Sequence, residues 1–413
     1  MTPRPTAAAA AAGKDLFTRF YAANPALLHA AAHSHHPWPD VSFDAQQRAW
    51  LDAVSGVDRK WTQVFGELFP AARQRVADVL GLPDPATLCF GASVHQFLVA
   101  VISSLDGFGR RTLNVVTTDA EFHSASRQFI RFAEEGLVHV DAVPAQPFDT
   151  FPDRVRQRLG AGGSQAGPDD LVFLSQVQFD SGYELPDLTG IIGVVAEHVP
   201  IMIDGYHGFM AVPTDLSAIA GRAFYSSGGY KYAMSGENAC FLHAPDGWLP
   251  RPVVTGWWGG FGVLSNAPVG EVVYDRGGSR FMGATFDPVG VYRLEAVLAM
   301  LDREGWSVAA IHDHVRTLQE HFLDQLGAPG RFEGDVAGSL LPSAEFARGN
   351  FLTFVTPRAG DVFAALADRN VVVDYRRDRL RIGFGIYHDE ADVDRLADIV
   401  TEVWPLIAQS AAP

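Results

Sequence analysis

Ile201-Met-Ile-Asp-Gly-Tyr-His207, followed further on by Ser226-Ser-Gly-Gly-Tyr-Lys-Tyr232, is the stretch on which the fold turns. The apolar run 200–203 reads as a buried strand. Asp204 then stands at its carboxyl end, where open α/β sheets bind their ligands. A second strand-like piece covers 223–226, and Lys231 follows it behind two glycines and between two tyrosines. An arbitrary lysine is a surface residue whose stem lies on neighbouring rings. A lysine enclosed and desolvated has a lowered pKa and can form a Schiff base. Asp204 alone would be a structural strand-end carboxylate; the two together point to chemistry.

Outward from this stretch the pattern alternates. Apolar periodicity predicts helices over 42–53 and 68–80, then a strand over 87–90, the turn Gly91-Ala92-Ser93 and a helix over 94–105. Short β-branched runs recur at 112–117, 138–143, 171–174 and 200–203, with helical segments at 125–135 and 187–198 between them. Strands alternating with helices of this length predict an α/β domain with a mainly parallel sheet. From about residue 289 the texture changes: helices over 292–304 and 307–325, short strands over 350–356, 371–374 and 380–385, and a last helix over 390–407. That is a smaller, C-terminal α+β domain. The glycine-rich run 160–167 reads as a flexible surface loop. The expected organisation is a flexible tail over 1–14, an N-terminal segment packing on the active site over 15–60, a large domain over 61–290 and a small domain over 291–413.

Composition narrows the function classes. With 413 residues, 47% of them hydrophobic and 19% charged, the chain is neither disordered nor fibrous. Its 32 Lys and Arg against 48 Asp and Glu give a net charge of −16, which argues against general nucleic-acid binding. The only cysteines are Cys89 and Cys240, too few for a disulfide framework or a Cys-based zinc site, which fits a reducing, cytoplasmic setting. The alanine-rich start lacks a signal-peptide pattern. No apolar stretch is long enough to span a membrane, so a soluble protein is expected.

Lys231 and Asp204 together match what pyridoxal phosphate (PLP) requires: an amine for the aldehyde and a carboxylate for the pyridine nitrogen. Gly91-Ala92-Ser93-Val94, at a strand-to-helix junction, offers backbone N–H groups and a hydroxyl to a phosphate. On its own this is a weak signal, since serine is also a common helix cap. Neither Gly-x-x-x-x-Gly-Lys-Ser/Thr nor a strand-following Gly-x-Gly-x-x-Gly is present, which disfavours nucleotide binding.

On these residues the chain resembles the class V aminotransferase group of fold-type I PLP enzymes, and is most similar to kynureninase. Asp204-x-x-His207 resembles the family's Asp-x-x-His, and Gly229-Tyr-Lys-Tyr232 its Tyr-Lys-Tyr. The resemblance implies Lys231 in the Schiff-base position and Asp204, His207 and Tyr230 at the cofactor. Gly256-Trp-Trp-Gly259 resembles Gly-Trp-Phe-Gly, which implies a phosphate contact for Trp257. Arg280-Phe-Met-Gly-Ala-Thr285 implies another for Thr285, from the partner subunit of a homodimer with interface active sites. Ser93-Val94 sits where the family has Thr-Val, Ser175 matches a cofactor-contacting serine, and Phe122 falls where an aromatic ring stacks on the pyridine. Asp374-Tyr-Arg-Arg followed by Leu380-Arg-Ile-Gly-Phe384 resembles the end motif, in which Arg381 would hold the substrate carboxylate by a bidentate pair.

Departures cluster where substrate would bind. The family's Asn-Ser-Leu-Gly region reads Ala31-Ala-His-Ser-His-His-Pro-Trp38 here, its Phe-Pro-Thr-Asp reads Phe122-His-Ser-Ala125, and Phe97 replaces a ring-contacting residue. His33, His35 and His36 read as a metal site, as loop histidines or as acid–base groups at a substrate entrance. No carboxylate near in sequence completes a metal site, so none is assigned. His35, His36 and His123 are the substrate-side candidates. Kynureninase-like hydrolysis of a Cβ–Cγ bond in an amino acid is the leading reaction. Transamination, β-elimination and decarboxylative C–C bond formation are the alternatives, and a non-catalytic PLP-binding role is a third. A cysteine desulfurase is least favoured, because Cys89 and Cys240 both fall in strands.

Overall fold

The computed structural model describes residues 13–328 and 336–409. Its centre is a seven-stranded sheet of β1 (Leu88–Gly91), β2 (Leu113–Thr118), β3 (Val138–Val143), β4 (Leu171–Ser175), β5 (Ile201–Asp204), β6 (Ala223–Ser227) and β7 (Cys240–His243). The spatial order is β1-β7-β6-β5-β4-β2-β3. All the pairings from β6 to β3 are parallel, whereas β7 runs antiparallel to both of its neighbours. Every residue of β4, β5 and β6 is buried, which is why these strands read as unbroken apolar runs.

A smaller antiparallel sheet holds β8 (Leu340–Leu341), β9 (Phe351–Val355), β10 (Asp374–Arg376) and β11 (Arg379–Gly383) in the order β8-β9-β11-β10. Helices Val308–Gly327, Ala359–Ala367 and Glu390–Gln409 cover it, and Val315, Phe322, Leu352, Ile382 and Leu396 share its core. The N-terminal segment joins this unit: Leu28–His29 pairs in parallel with Val371–Val372, and Gly383 N–H donates to the Ala30 carbonyl at 2.9 Å.

Several sequence expectations are corrected. The helix expected over 187–198 ends at Gly193, since glycines at 190 and 193 weaken it and Pro200 must enter β5 extended. The glycine-rich loop is a small hairpin, Gly163–Ser164 against Gly167–Pro168, tied down where Asn114 donates to the carbonyls of Ala166 and Pro168. The strand expected over 371–374 is two, one serving the N-terminal segment and the other β11. Residues 1–12 of the expected tail lie outside the described residues. Lys14, its last residue, is held by Asp389 and Asp392 at 2.6 and 2.7 Å.

Candidate active site

The carboxyl ends of the parallel strands converge on one cavity of about 160 Å³. Ser175 and Asp204 end β4 and β5 and face each other in register. Beyond β6 the chain turns tightly through Gly228 and Gly229. A Cβ on Gly228 would stand 2.4 Å from the Tyr206 hydroxyl, and one on Gly229 2.1 Å from Ser235 Oγ. Only glycine permits this approach, and it delivers Lys231 into the cavity wall.

Lys231 is 7% exposed, and its Nζ donates to the His33 carbonyl at 3.0 Å. The rings of Tyr230 and Tyr206 lie 5.4 and 5.8 Å away. Burial, followed by the charge of Arg381, pushes its pKa down to about 7, with Asp204 opposing. Asp204 accepts from the Tyr206 N–H at 2.9 Å, and burial pushes its carboxyl up to about 6. His207 is buried between Phe351 and Tyr232, its Nδ1 without a partner. Burial, then Lys231 and Arg381, drive its pKa far down, so the ring is neutral.

Ser93, Val94, Phe122, Ser175, Asp204, His207, Tyr230 and Lys231 all line this cavity. Ser93 caps the helix Val94–Ser103, its Oγ accepting from the Gln96 N–H at 3.2 Å, so helix N–H groups face the space. Phe122 stands edge-on to Phe179 at 5.3 Å.

Other expected residues lie elsewhere. Trp257 is 40% exposed and donates from Nε1 to Thr285 Oγ1 at 2.8 Å, so the two form a surface pair away from the Lys231 cavity. His35 is exposed, stacked on Tyr230 at 5.1 Å, just outside the wall. His36 is corrected outright: its buried ring packs against Phe17 and Tyr387, Nδ1 donates to the Pro37 carbonyl, and burial holds its pKa down to about 3. It is packing, not a substrate contact. His123 faces a neighbouring cavity of about 430 Å³ with Arg376, Arg377 and Gln178, separated from Lys231 by Phe179.

Arg381 is buried on β11, but its fork is already taken, Nη2 by Asp374 and Nη1 by the Phe179 carbonyl. The bidentate pair expected with a substrate is therefore occupied by the chain itself, and Nε alone lacks a partner. His33 is wholly buried, stacked on Phe351 at 4.7 Å, with both ring nitrogens unpartnered and Nε2 3.9 Å from Asp374. Among the described residues no group of three or more His, Cys, Asp or Glu is placed to hold a metal ion.

Sequence reasoning missed Glu121, Tyr206 and Phe179 as parts of this arrangement, and placed Asp374 only within the end motif of Arg381. Glu121 is buried, accepts from Ser175 Oγ at 2.5 Å and Thr118 Oγ1 at 2.7 Å, and burial pushes its pKa up to about 7. Its position just past the carboxyl end of a parallel strand was a legible signal. Phe179 comes from a loop and carried none.

Residues 314–400 match the kynureninase C-terminal domain family. Kynureninases of Burkholderia mallei (strain ATCC 23344) and Burkholderia pseudomallei (strain K96243) are 29% identical over 261 residues, which is 59% of this chain and 59% of theirs. The match thus spans less than two thirds of those relatives. Among solved structures, the cystine C–S lyase C-DES in complex with cysteine persulfide aligns with a TM-score of 0.78 at 17% identity, covering 93% of this chain and 99% of that one. The cysteine desulfurase CsdA from Escherichia coli gives 0.76 at 18%, covering 96% and 98%. The fold is that of the fold-type I PLP-dependent enzymes.

The donor set fits that cofactor. A desolvated amine, a buried strand-end carboxylate, a serine-capped helix N-terminus and an aromatic wall surround one space. His207, which lines the same space, keeps a buried Nδ1 without a partner.

Proposed function

We propose that this chain is a PLP-dependent enzyme that hydrolyses the Cβ–Cγ bond of an amino acid in the manner of kynureninase, releasing alanine and an acyl product. The observation that carries PLP dependence is the burial of Lys231 and Asp204 on one cavity, the amine at about 7 and the carboxyl at about 6. When bound, PLP supplies the electron sink for bonds at the substrate's Cα. Lys231 is half neutral near pH 7, so it can serve as nucleophile toward an aldehyde and then carry a proton at Cα. Asp204, ionised above pH 6, suits a protonated ring nitrogen. Ser93, the helix N–H groups and Tyr230 would hold the phosphate, joined by Trp257 and Thr285 of a second copy, since that pair stands at the surface. Arg381 would receive the substrate carboxylate by giving up the Phe179 carbonyl, while Asp374 keeps the guanidinium in plane.

Leu98, Phe122, Phe173, Val177 and Phe179 make the cavity largely apolar, which suits an aryl side chain. β-Elimination from a sulfur amino acid is the second reading, favoured by the likeness to a cystine C–S lyase over 93% of the chain. A persulfide carrier is disfavoured: Cys240 and Cys89 are buried, with burial pushing their thiols up to about 11 and about 12. The two unpaired thiols accord with a reducing compartment such as the cytoplasm. The test is to incubate the PLP-loaded protein with L-kynurenine and its 3-hydroxy derivative and quantify alanine by mass spectrometry. Alanine and the anthranilate in equal amounts are expected. Loaded protein that releases no alanine contradicts the hydrolase reading, and pyruvate from cystine would favour the second.

A further inference from the structure

Three neighbouring strand ends lie in a row above the cavity: Asp204 ends β5, Ser175 ends β4, and Glu121 stands three residues beyond the end of β2. The Glu121 carboxylate is buried and takes three donors, the Ser175 hydroxyl at 2.5 Å, the Ser175 N–H at 3.3 Å and the Thr118 hydroxyl at 2.7 Å. It forms no ion pair among the described residues, and the charge that bears on it is the like charge of Asp204. An acid buried this way is costly, and a neutral glutamine of the same shape would fill the same space without that cost. Its charge therefore calls for a use, and the geometry supplies one. Above about pH 7, where Glu121 is ionised and can only accept, the proton of Ser175 is committed to it, so Ser175 turns only lone pairs toward the cavity that it lines. Glu121 itself lines the neighbouring cavity, so its charge reaches the Lys231 cavity through Ser175 and adds to that of Asp204.

We propose that Glu121 is a positioning residue: it fixes Ser175 as a hydrogen-bond acceptor and places a buried negative charge beside the cavity, so that the bound cofactor is held in its protonated form. This rests on the PLP reading given above. Both effects act in one direction. The fixed acceptor requires a proton on the group it meets, and the buried carboxylate stabilises that proton's charge.

The experiment is a pH titration of the visible absorption of the PLP-loaded protein, together with the dissociation constant for PLP. Glu121→Gln keeps the size, removes the charge and frees the Ser175 proton. Its absorption midpoint should fall by about one pH unit, the scale of losing one charge at a partly screened separation. Ser175→Ala should shift the midpoint in the same direction. The double variant should shift it by less than the two single shifts together, because Glu121 acts partly through Ser175. A folded Glu121→Gln protein with the unmodified midpoint overturns the proposal. If that variant does not fold, Ser175→Ala decides, and an unchanged midpoint again overturns it. Lys231→Ala separates the two levels of the argument. If the unmodified protein takes up no PLP, both readings fall. If it takes up PLP and loses the band with Lys231→Ala, while Glu121→Gln titrates as the unmodified protein does, only the role of Glu121 falls.

Discussion

Lys231 Nζ donates to the main-chain carbonyl of His33 at 3.0 Å, joining the cavity wall to a segment that pairs with the small sheet. The amine is thus positioned by backbone, and the His33 side chain is free to do something else. Its ring lies on Phe351 with both nitrogens buried and unpartnered. His33→Phe keeps the stacked ring and removes two unpaired polar atoms. It should raise the unfolding free energy of the cofactor-free protein by about 1 kcal/mol, measured by urea titration. A loss of stability would show that the imidazole has a partner in solution.

Lys231 should capture the cofactor faster as pH rises. Its pKa is pushed down to about 7 by burial and then by Arg381, so the neutral, nucleophilic fraction grows through pH 7 and levels off above it. Stopped-flow absorbance of PLP uptake between pH 6 and 9 measures this directly. A rate still climbing near the ordinary lysine pKa would contradict the buried setting, and Lys231→Arg should give no uptake at any pH.

Asp374 should act on substrate binding through Arg381. The two face each other across β10 and β11, and Asp374 also holds Arg376 at 2.7 Å. Asp374→Ala frees the guanidinium to turn and removes a charge-assisted bond of about 1.5–3 kcal/mol. KM for the amino acid should rise about tenfold or more, with kcat less affected. Asp374→Asn, which keeps one acceptor, should fall between. A kcat loss with unchanged KM would place Arg381 away from the carboxylate.

Trp257 and Thr285 should serve the site of a second copy. They bond to each other at the surface, outside their own chain's Lys231 cavity. Lys231→Ala and Trp257→Ala proteins should each be nearly inactive. Mixed and re-associated, they should regain activity, because one of the two sites in the mixed dimer then has both residues intact. Absence of any regain would contradict a shared site.

Folding should weaken in acid in part through His36. Its folded pKa is depressed to about 3 by burial against an ordinary value near 6.5, so its contribution is present above 6.5 and lost as pH falls toward 3. His36→Gln should flatten that part of the stability profile, measured by urea titration between pH 7 and 4. An unchanged slope would mean that the imidazole is hydrated in solution.

Much of this arrangement was legible in the sequence, for physical reasons that can be named. The β5 strand read clearly because every residue in it is buried, and Asp204 then had to stand at a ligand-binding strand end. Lys231 read clearly because the two glycines before it are forced by close contacts. His36 misled because three close histidines look functional, whereas only the fold turns that ring toward Phe17 and Tyr387. The engagement of Arg381 by the Phe179 carbonyl depends on a contact 202 residues apart, which no local pattern carries. Glu121 is legible as a strand-end acid, but its bond to Ser175 joins residues 54 apart and has no local signature.

The most direct test of the central claim is where PLP attaches. Protein purified with PLP should be reduced with borohydride, digested and analysed by mass spectrometry. The expected result is one pyridoxyl group, on Lys231. Attachment at another lysine, or none from a protein that folds, would contradict the account.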